Sequence, residues 1–170
     1  MDLKSMIRTI PDFPKDGILF RDITTVLQNP EGLQMAIDAL YEKLKGEEFD
    51  CIIGPESRGF IFGVPLAYKM KKGFIPVRKA GKLPYKTKQK TYNLEYGTAT
   101  IEIHADAIQP GQKVVVVDDL LATGGTSKAI IELIEEMGGE VVKLVYLIEL
   151  DSLKGKEQLG NHSIESIIQY

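Results

Sequence analysis

Tryptophan is absent from this 170-residue chain, cysteine occurs once and histidine only twice. The single thiol, Cys51, can close no internal disulfide, and His104 and His162 have no neighbouring Cys or His at the spacing of a structural zinc site. Stability must come from an apolar core instead. A hydrophobic content of 44% over 170 residues is enough to build one as a single domain, residues 1–170. No apolar run is long enough to span a bilayer. The start, "MDLKSMIRTI", has neither the basic opening nor the continuous apolar stretch of a secretory leader, so the expected location is the cytoplasm, with no membrane contact. Two nucleotide-binding patterns are also missing: there is no G-x-x-x-x-G-K-[ST], and no G-x-G-x-x-G follows a strand. An ATP-driven P-loop enzyme and an ordinary dinucleotide dehydrogenase are disfavoured.

Acids are missing from one stretch in particular. Lys69 to Lys90 carries nine Lys or Arg and no Asp or Glu, although the whole chain has a net charge of −3. Such a block suits a polyanionic small ligand or a nucleic acid, and equally a solvated lysine-rich loop. The acidity of the remainder argues against a large nucleic-acid surface.

What is present is concentrated in "VVVVDDLLATGGTS", Val114 to Ser127. The β-branched run predicts a central parallel strand buried on both faces. The small-residue loop that follows offers backbone N–H groups and hydroxyls at a helix N-terminus, a site made for an anion. Asp118 and Asp119 would repel that anion unless one ligand carried both a phosphate for the loop and hydroxyls for the carboxylates, as a sugar phosphate does. "SKAIIELIEEMGG" has helical periodicity with a glycine stop, and "VVKLVYLIEL" returns as a strand, completing a βαβ unit. An earlier unit reads as strand "CIIG", turn "PESRG" and helix "FIFGVPLAYKM", in which Pro65 predicts a kink or a displaced start. "FIPVRK" follows as an extended run, and Gly32 to Leu44 reads as a helix. "AGKLPYKTKQKTYNLEYG" predicts a long loop or irregular hairpin, and Thr100 to His104 a strand. The alternation indicates an α/β fold.

"VVVVDDLLATGGTS" resembles the phosphoribosyl-diphosphate-binding motif of type I phosphoribosyltransferases. "PDFPKDGILFRDIT", "PESRGFIFG", "RKAGKLP", "LEYG" and "ELDSLKGKEQL" are similar, in the same order, to the adenine-specific branch of that family. The resemblance implies a central mostly parallel sheet flanked by helices, a small N-terminal hood of about 30 residues over the base, a flexible closure loop and a homodimer. The implied reaction moves the 5-phosphoribosyl group of 5-phosphoribosyl 1-diphosphate to adenine, giving AMP and diphosphate with Mg²⁺ held through the substrate. Asp118 and Asp119 would then accept from the ribose hydroxyls, and Ala122, Thr123, Gly124, Gly125 and Thr126 would hold the 5-phosphate. Ser57, Arg58, Arg78 and Lys82 would meet diphosphate, and the Glu56–Ser57 peptide is implied to be strained. Phe20 would stack on adenine between main-chain contacts at Leu19 and Arg21, with Leu120 as an apolar wall. Glu95 would be the acid or base near the purine ring, with Tyr96 as a candidate closure contact. Ala80 departs from the pattern, which has proline or a basic residue there. Two alternatives stay open: the same chemistry on hypoxanthine, guanine or xanthine, and a regulatory member of the fold that binds nucleic acid through Lys69 to Lys90.

Overall fold

The computed structural model describes residues 2–94 and 96–170. The chain opens with a short helix, α1 (Leu3–Met6), a two-stranded antiparallel hairpin of β1 (Arg8–Pro11) and β2 (Leu19–Asp22), and a helical turn, α2 (Thr24–Leu27). This is the hood. It is tied together by Asp22, whose buried carboxylate accepts from the Thr24 N–H at 3.0 Å and the Thr24 hydroxyl at 2.7 Å, and from Arg8 Nη2 at 2.6 Å. The Thr24 bonds first, and then Arg8, lower the Asp22 pKa from 3.8 to about 2. A carboxyl whose pKa falls on folding stabilises the fold above its unfolded pKa, and that stability is lost as pH falls through the folded value. Asp22→Asn is expected to melt about 2–4 °C below the parent chain at neutral pH, for a loss of about 1 kcal/mol. In thermal melts the gap should close between pH 3.8 and about 2; a gap independent of pH would contradict this assignment.

Beyond the hood lie α3 (Pro30–Leu44), β3 (Cys51–Pro55), α4 (Arg58–Met70), β4 (Gly73–Lys79), β5 (Thr87–Asn93) and β6 (Thr98–His104). They are followed by β7 (Lys113–Leu121), α5 (Gly125–Glu136), β8 (Glu140–Glu149), two short 3₁₀ turns and β9 (Ile164–Gln169). α3 begins where its sequence says it should: the Asn29 side chain accepts from the Gly32 N–H at 2.9 Å, and Pro30 occupies the first turn. One seven-stranded sheet has the order β5-β6-β4-β3-β7-β8-β9. β4, β3, β7, β8 and β9 run parallel, and the β5–β6 hairpin is antiparallel on the β4 edge.

The centre of the sheet explains the valine run. Val114 to Val117 have no exposure at all, because β7 is covered on both sides. Val115 and Val117 pack with Leu40, Phe62 and Leu66 of α3 and α4, whereas Val114 and Val116 pack with Ile130, Leu133 and Ile134 of α5. Cys51, at the start of β3, is buried, and burial pushes its thiol up to about 11, which leaves it inert. Among the described residues, no helix is long and apolar enough to cross a membrane.

Two elements differ from the sequence reading. α4 starts at Arg58 and runs through Pro65 to Met70. Proline there deprives the Ile61 carbonyl of its donor, but Ile61 and Val64 lie on the exposed face, where water can replace it. The stretch expected to be a long loop or an irregular hairpin is a hairpin arm with a regular strand, β5, paired with β6 from Thr87↔His104 to Asn93↔Thr98. Its Lys, Thr and Gln residues show no apolar alternation because β5 is an edge strand with little burial on either face.

Candidate active site

In a parallel sheet the carboxyl ends of β3, β4 and β7 come out on one edge, and "PESRG", "RKAGKLP" and the Asp118–Ser127 segment leave from there. After β7 the chain turns through Ala122 and Thr123 to Gly124, whose φ of +89° is a left-handed conformation natural to glycine. The first helical bond of α5 runs from the Lys128 N–H to the Gly124 carbonyl. The N–H groups of Gly125, Thr126 and Ser127 precede it, so they have no acceptor within the helix and are oriented for an anion. α5 therefore begins two residues before the expected Ser127. Ser127 instead turns inward, where its hydroxyl accepts from Tyr146 at 2.6 Å and ties the first turn to β8.

Asp118 and Asp119 sit at the mouth of this loop. Burial, and then the negative charge of Asp119, raise the Asp118 pKa well above the ordinary aspartate value. Asp119 is buried and pairs through Oδ2 with Arg58 Nε at 2.7 Å. The Arg58 guanidinium also lies 5.8 Å from the centre of the Phe20 ring, so one side chain connects the acidic pair to the hood. Phe20 meets Phe13 edge to face at 5.1 Å, and the two rings with Ile10, Asp22 and Arg58 line a cavity of about 340 Å³. Leu19 is exposed on β2, and Leu120 packs on the hood-side core. The Arg21 side chain turns away to donate to the Thr9 hydroxyl and to stack 3.9 Å from the Tyr170 ring centre.

A second cavity, of about 420 Å³, shares Thr126 with the anion loop and is lined also by Glu56, Arg78, Ala80 and Tyr92. The Glu56–Ser57 peptide is cis. Glu56 accepts from Arg78 Nε at 3.2 Å and from the Lys79 N–H at 2.7 Å, which fixes Arg78 along the cavity wall. Lys82 is exposed in the turn beyond β4. The Ala80 N–H donates to the Thr100 carbonyl at 3.1 Å, a bond that a proline at this position could not make. Glu95 lies outside the described residues.

Tyr92, Lys90, Lys15, Gln158 and Gly155 have no individual role in the sequence reading, whereas Tyr96 is its candidate closure contact and Gln158 and Gly155 lie in the quoted motif "ELDSLKGKEQL". The Tyr92 hydroxyl bonds Thr126 Oγ1 at 2.9 Å, and Lys90 pairs with Glu136 at 2.6 Å and Glu132 at 3.3 Å, so the β5–β6 hairpin is clasped to α5. At the hairpin tip, Tyr96 takes the Lys15 ammonium of the hood 5.1 Å from its ring centre. The segment "LKGKEQL" backs the anion loop: Gln158 donates to the Thr123 carbonyl at 2.8 Å, and Gly155 lies backbone against backbone with Ala122 and Gly124. Their common signal was a lone residue in a polar stretch, whose partner only the fold supplies. Among the described residues, no group of three or more His, Cys, Asp or Glu converges as a metal site.

The model of the phosphoribosyl transferase domain matches residues 22–167. The chain is 61% identical over 168 residues to the adenine phosphoribosyltransferase of Lachnoclostridium phytofermentans, covering 99% of this chain and 97% of that protein. The solved adenine phosphoribosyltransferase of Thermoanaerobacter pseudethanolicus superimposes with a TM-score of 0.96 at 52% identity, covering 99% of this chain and 98% of that one. The Saccharomyces cerevisiae enzyme, solved with an imino-altritol bisphosphate and adenine, gives 0.91 at 42% identity, with 97% and 96% covered. The chain belongs to the phosphoribosyl transferase family.

Proposed function

We propose that this protein transfers the 5-phosphoribosyl group of 5-phosphoribosyl 1-diphosphate to adenine, releasing diphosphate and forming AMP for purine salvage. The observation that carries this reading is that the anion loop of residues 122–127 shares Thr126 with the cavity lined by Arg78, while Arg58, which pairs with Asp119, lines the aromatic cavity beside Phe20. A base, a ribose phosphate and a diphosphate need those three surroundings.

The 5-phosphate takes the N–H groups and hydroxyls of Ala122 to Thr126, and Asp118 and Asp119 accept from the ribose hydroxyls. As diphosphate departs, positive charge grows on the ribose ring, and two carboxylates already in place stabilise it without reorganisation. Ser57, Arg58, Arg78 and Lys82 receive the leaving group, for which Arg58 exchanges its Asp119 partner for a substrate oxygen. Adenine stacks on Phe20 against Leu120, read by the main chain at Leu19 and Arg21, with Glu95 as the acid or base. Mg²⁺, a hard cation that prefers phosphate oxygens, would be held through the substrate and not by a protein cage, and would supply counter-charge to diphosphate. Residues 1–170 act as one domain, in the cytoplasm. Ile61, Val64 and Tyr68, exposed along one stripe of α4, support a homodimer.

Nucleotide formation from 5-phosphoribosyl 1-diphosphate and Mg²⁺ tests the reading, with adenine, hypoxanthine, guanine and xanthine offered separately. AMP from adenine alone is expected. Product from another base would overturn the hood assignment, and no product from any base would overturn the reaction.

A further inference from the structure

Glu102, on β6, is 2% exposed and has no part in the chemistry above. Its Oε1 accepts from the N–H groups of Gly81 and Leu83, both at 3.1 Å, and its Oε2 from Gln89 Nε2 at 2.8 Å and the Thr87 hydroxyl at 3.3 Å. None of the ion pairs among the described residues includes it. Burial alone would raise its pKa, but the four donors outweigh burial and hold it below the ordinary glutamate value. A buried charge without a counter-ion is a costly way to fill space, since an apolar side chain of similar size would serve packing better.

The donors show what the charge does. Gly81 and Leu83 flank Lys82, and both are held by one oxygen. The Ala80 N–H is taken by the neighbouring Thr100 carbonyl, and Arg78 is directly opposite Glu102 in the β4–β6 register. The turn that carries Lys82 is thus suspended from β6 by three backbone bonds, two of them to Glu102. Gln89 and Thr87 fasten the same carboxylate to β5, the strand whose Tyr92 touches Thr126.

We propose that Glu102 is a positioning residue for the diphosphate end of the site: it fixes the 80–83 turn, and with it Lys82, relative to Arg78 and to the closure hairpin. This rests on the phosphoribosyl-transfer reading. Glu102 touches no substrate; it acts through the backbone of Gly81 and Leu83.

Steady-state kinetics of Glu102→Leu and Glu102→Gln test it. The leucine variant leaves both N–H groups without an acceptor, and the KM for 5-phosphoribosyl 1-diphosphate is expected to rise about tenfold while that for adenine stays within about twofold. In the glutamine variant the amide oxygen can still accept both N–H groups while the Gln89 amide turns over, so its KM values should stay within about threefold of the parent. Should the leucine variant fail to fold, Thr87→Val with Gln89→Leu on the edge strand loosens the carboxylate from its other side and must raise the same KM alone. Equal changes in both KM values, or no change, in a folded variant of an active enzyme would overturn the positioning role. An inactive parent enzyme would overturn the transfer reading and this inference with it.

Discussion

Asp118→Asn together with Asp119→Asn is expected to lower kcat about 100-fold or more while the melting temperature stays within a few degrees of the parent. The asymmetry follows from where the charge is useful. In the free protein the Asp118 carboxylate is disfavoured by burial and by Asp119, so removing its charge relieves a penalty. The Arg58–Asp119 pair is half exposed on the arginine side and contributes modestly. During the reaction the same two charges face a ribose ring that is losing an anion, and neutral amides cannot replace them. The pH profile has a definite sign. An acid whose pKa is raised on folding binds its proton more tightly in the native state, so Asp118 makes the fold more stable as pH falls from its raised value towards the ordinary one. Activity moves the other way, because protonation removes the carboxylate. The acid limb of kcat/KM should lie above the ordinary aspartate value of 3.8 and shift or vanish in Asp118→Asn. Unchanged turnover in the folded double variant would defeat the ribose role.

Gly155→Ala is expected to reduce kcat/KM for 5-phosphoribosyl 1-diphosphate about 100-fold, although residue 155 follows the anion loop by some thirty positions. A Cβ built on Gly155 falls 2.4 Å from the Ala122 carbonyl oxygen and 2.9 Å from Leu121 Cδ1. The first contact is with backbone and cannot be relieved by a rotamer change. Gly124 has the reciprocal constraint, with its own Cβ position 2.6 Å from the Gly155 carbonyl and φ at +89°. One of the two backbones must move, and the anion loop, with its N–H groups held by no helical acceptor, is the softer. The KM for adenine should change little, since Leu121, Ala122 and Gly124, which Gly155 meets, do not line the cavity beside Phe20. Wild-type phosphoribosyl kinetics in a folded Gly155→Ala protein would show that the loop tolerates displacement and that the packing is incidental.

The parts of the site that were legible in the sequence are those that depend on local chemistry. Four β-branched residues, two acids and a glycine-bearing loop specify a strand, its carboxyl edge and an anion site within fourteen positions, and β7 and α5 follow them closely. Leu19, Phe20 and Arg21 likewise lie together on one short strand. What stayed hidden depends on pairing across the fold. β5 has no pattern of its own and exists as a strand because β6 supplies its ladder. Gly155 reads as an ordinary turn glycine until Ala122 is placed against it. Glu102 looks like any polar residue in an alternating strand, and only the turn suspended over it shows why a carboxylate is there.

The clasp between the β5–β6 hairpin and α5 has two halves of different physical character. The Tyr92–Thr126 bond joins neutral hydroxyls, whereas Lys90 holds Glu132 and Glu136 by charge in partly exposed positions. Dissolved ions act on only one of these halves, with a screening length of about 8 Å at physiological ionic strength. Ionic strength therefore weakens the charged half of the clasp alone, leaving the hydroxyl contact to hold hairpin to helix when the surrounding electrolyte is concentrated.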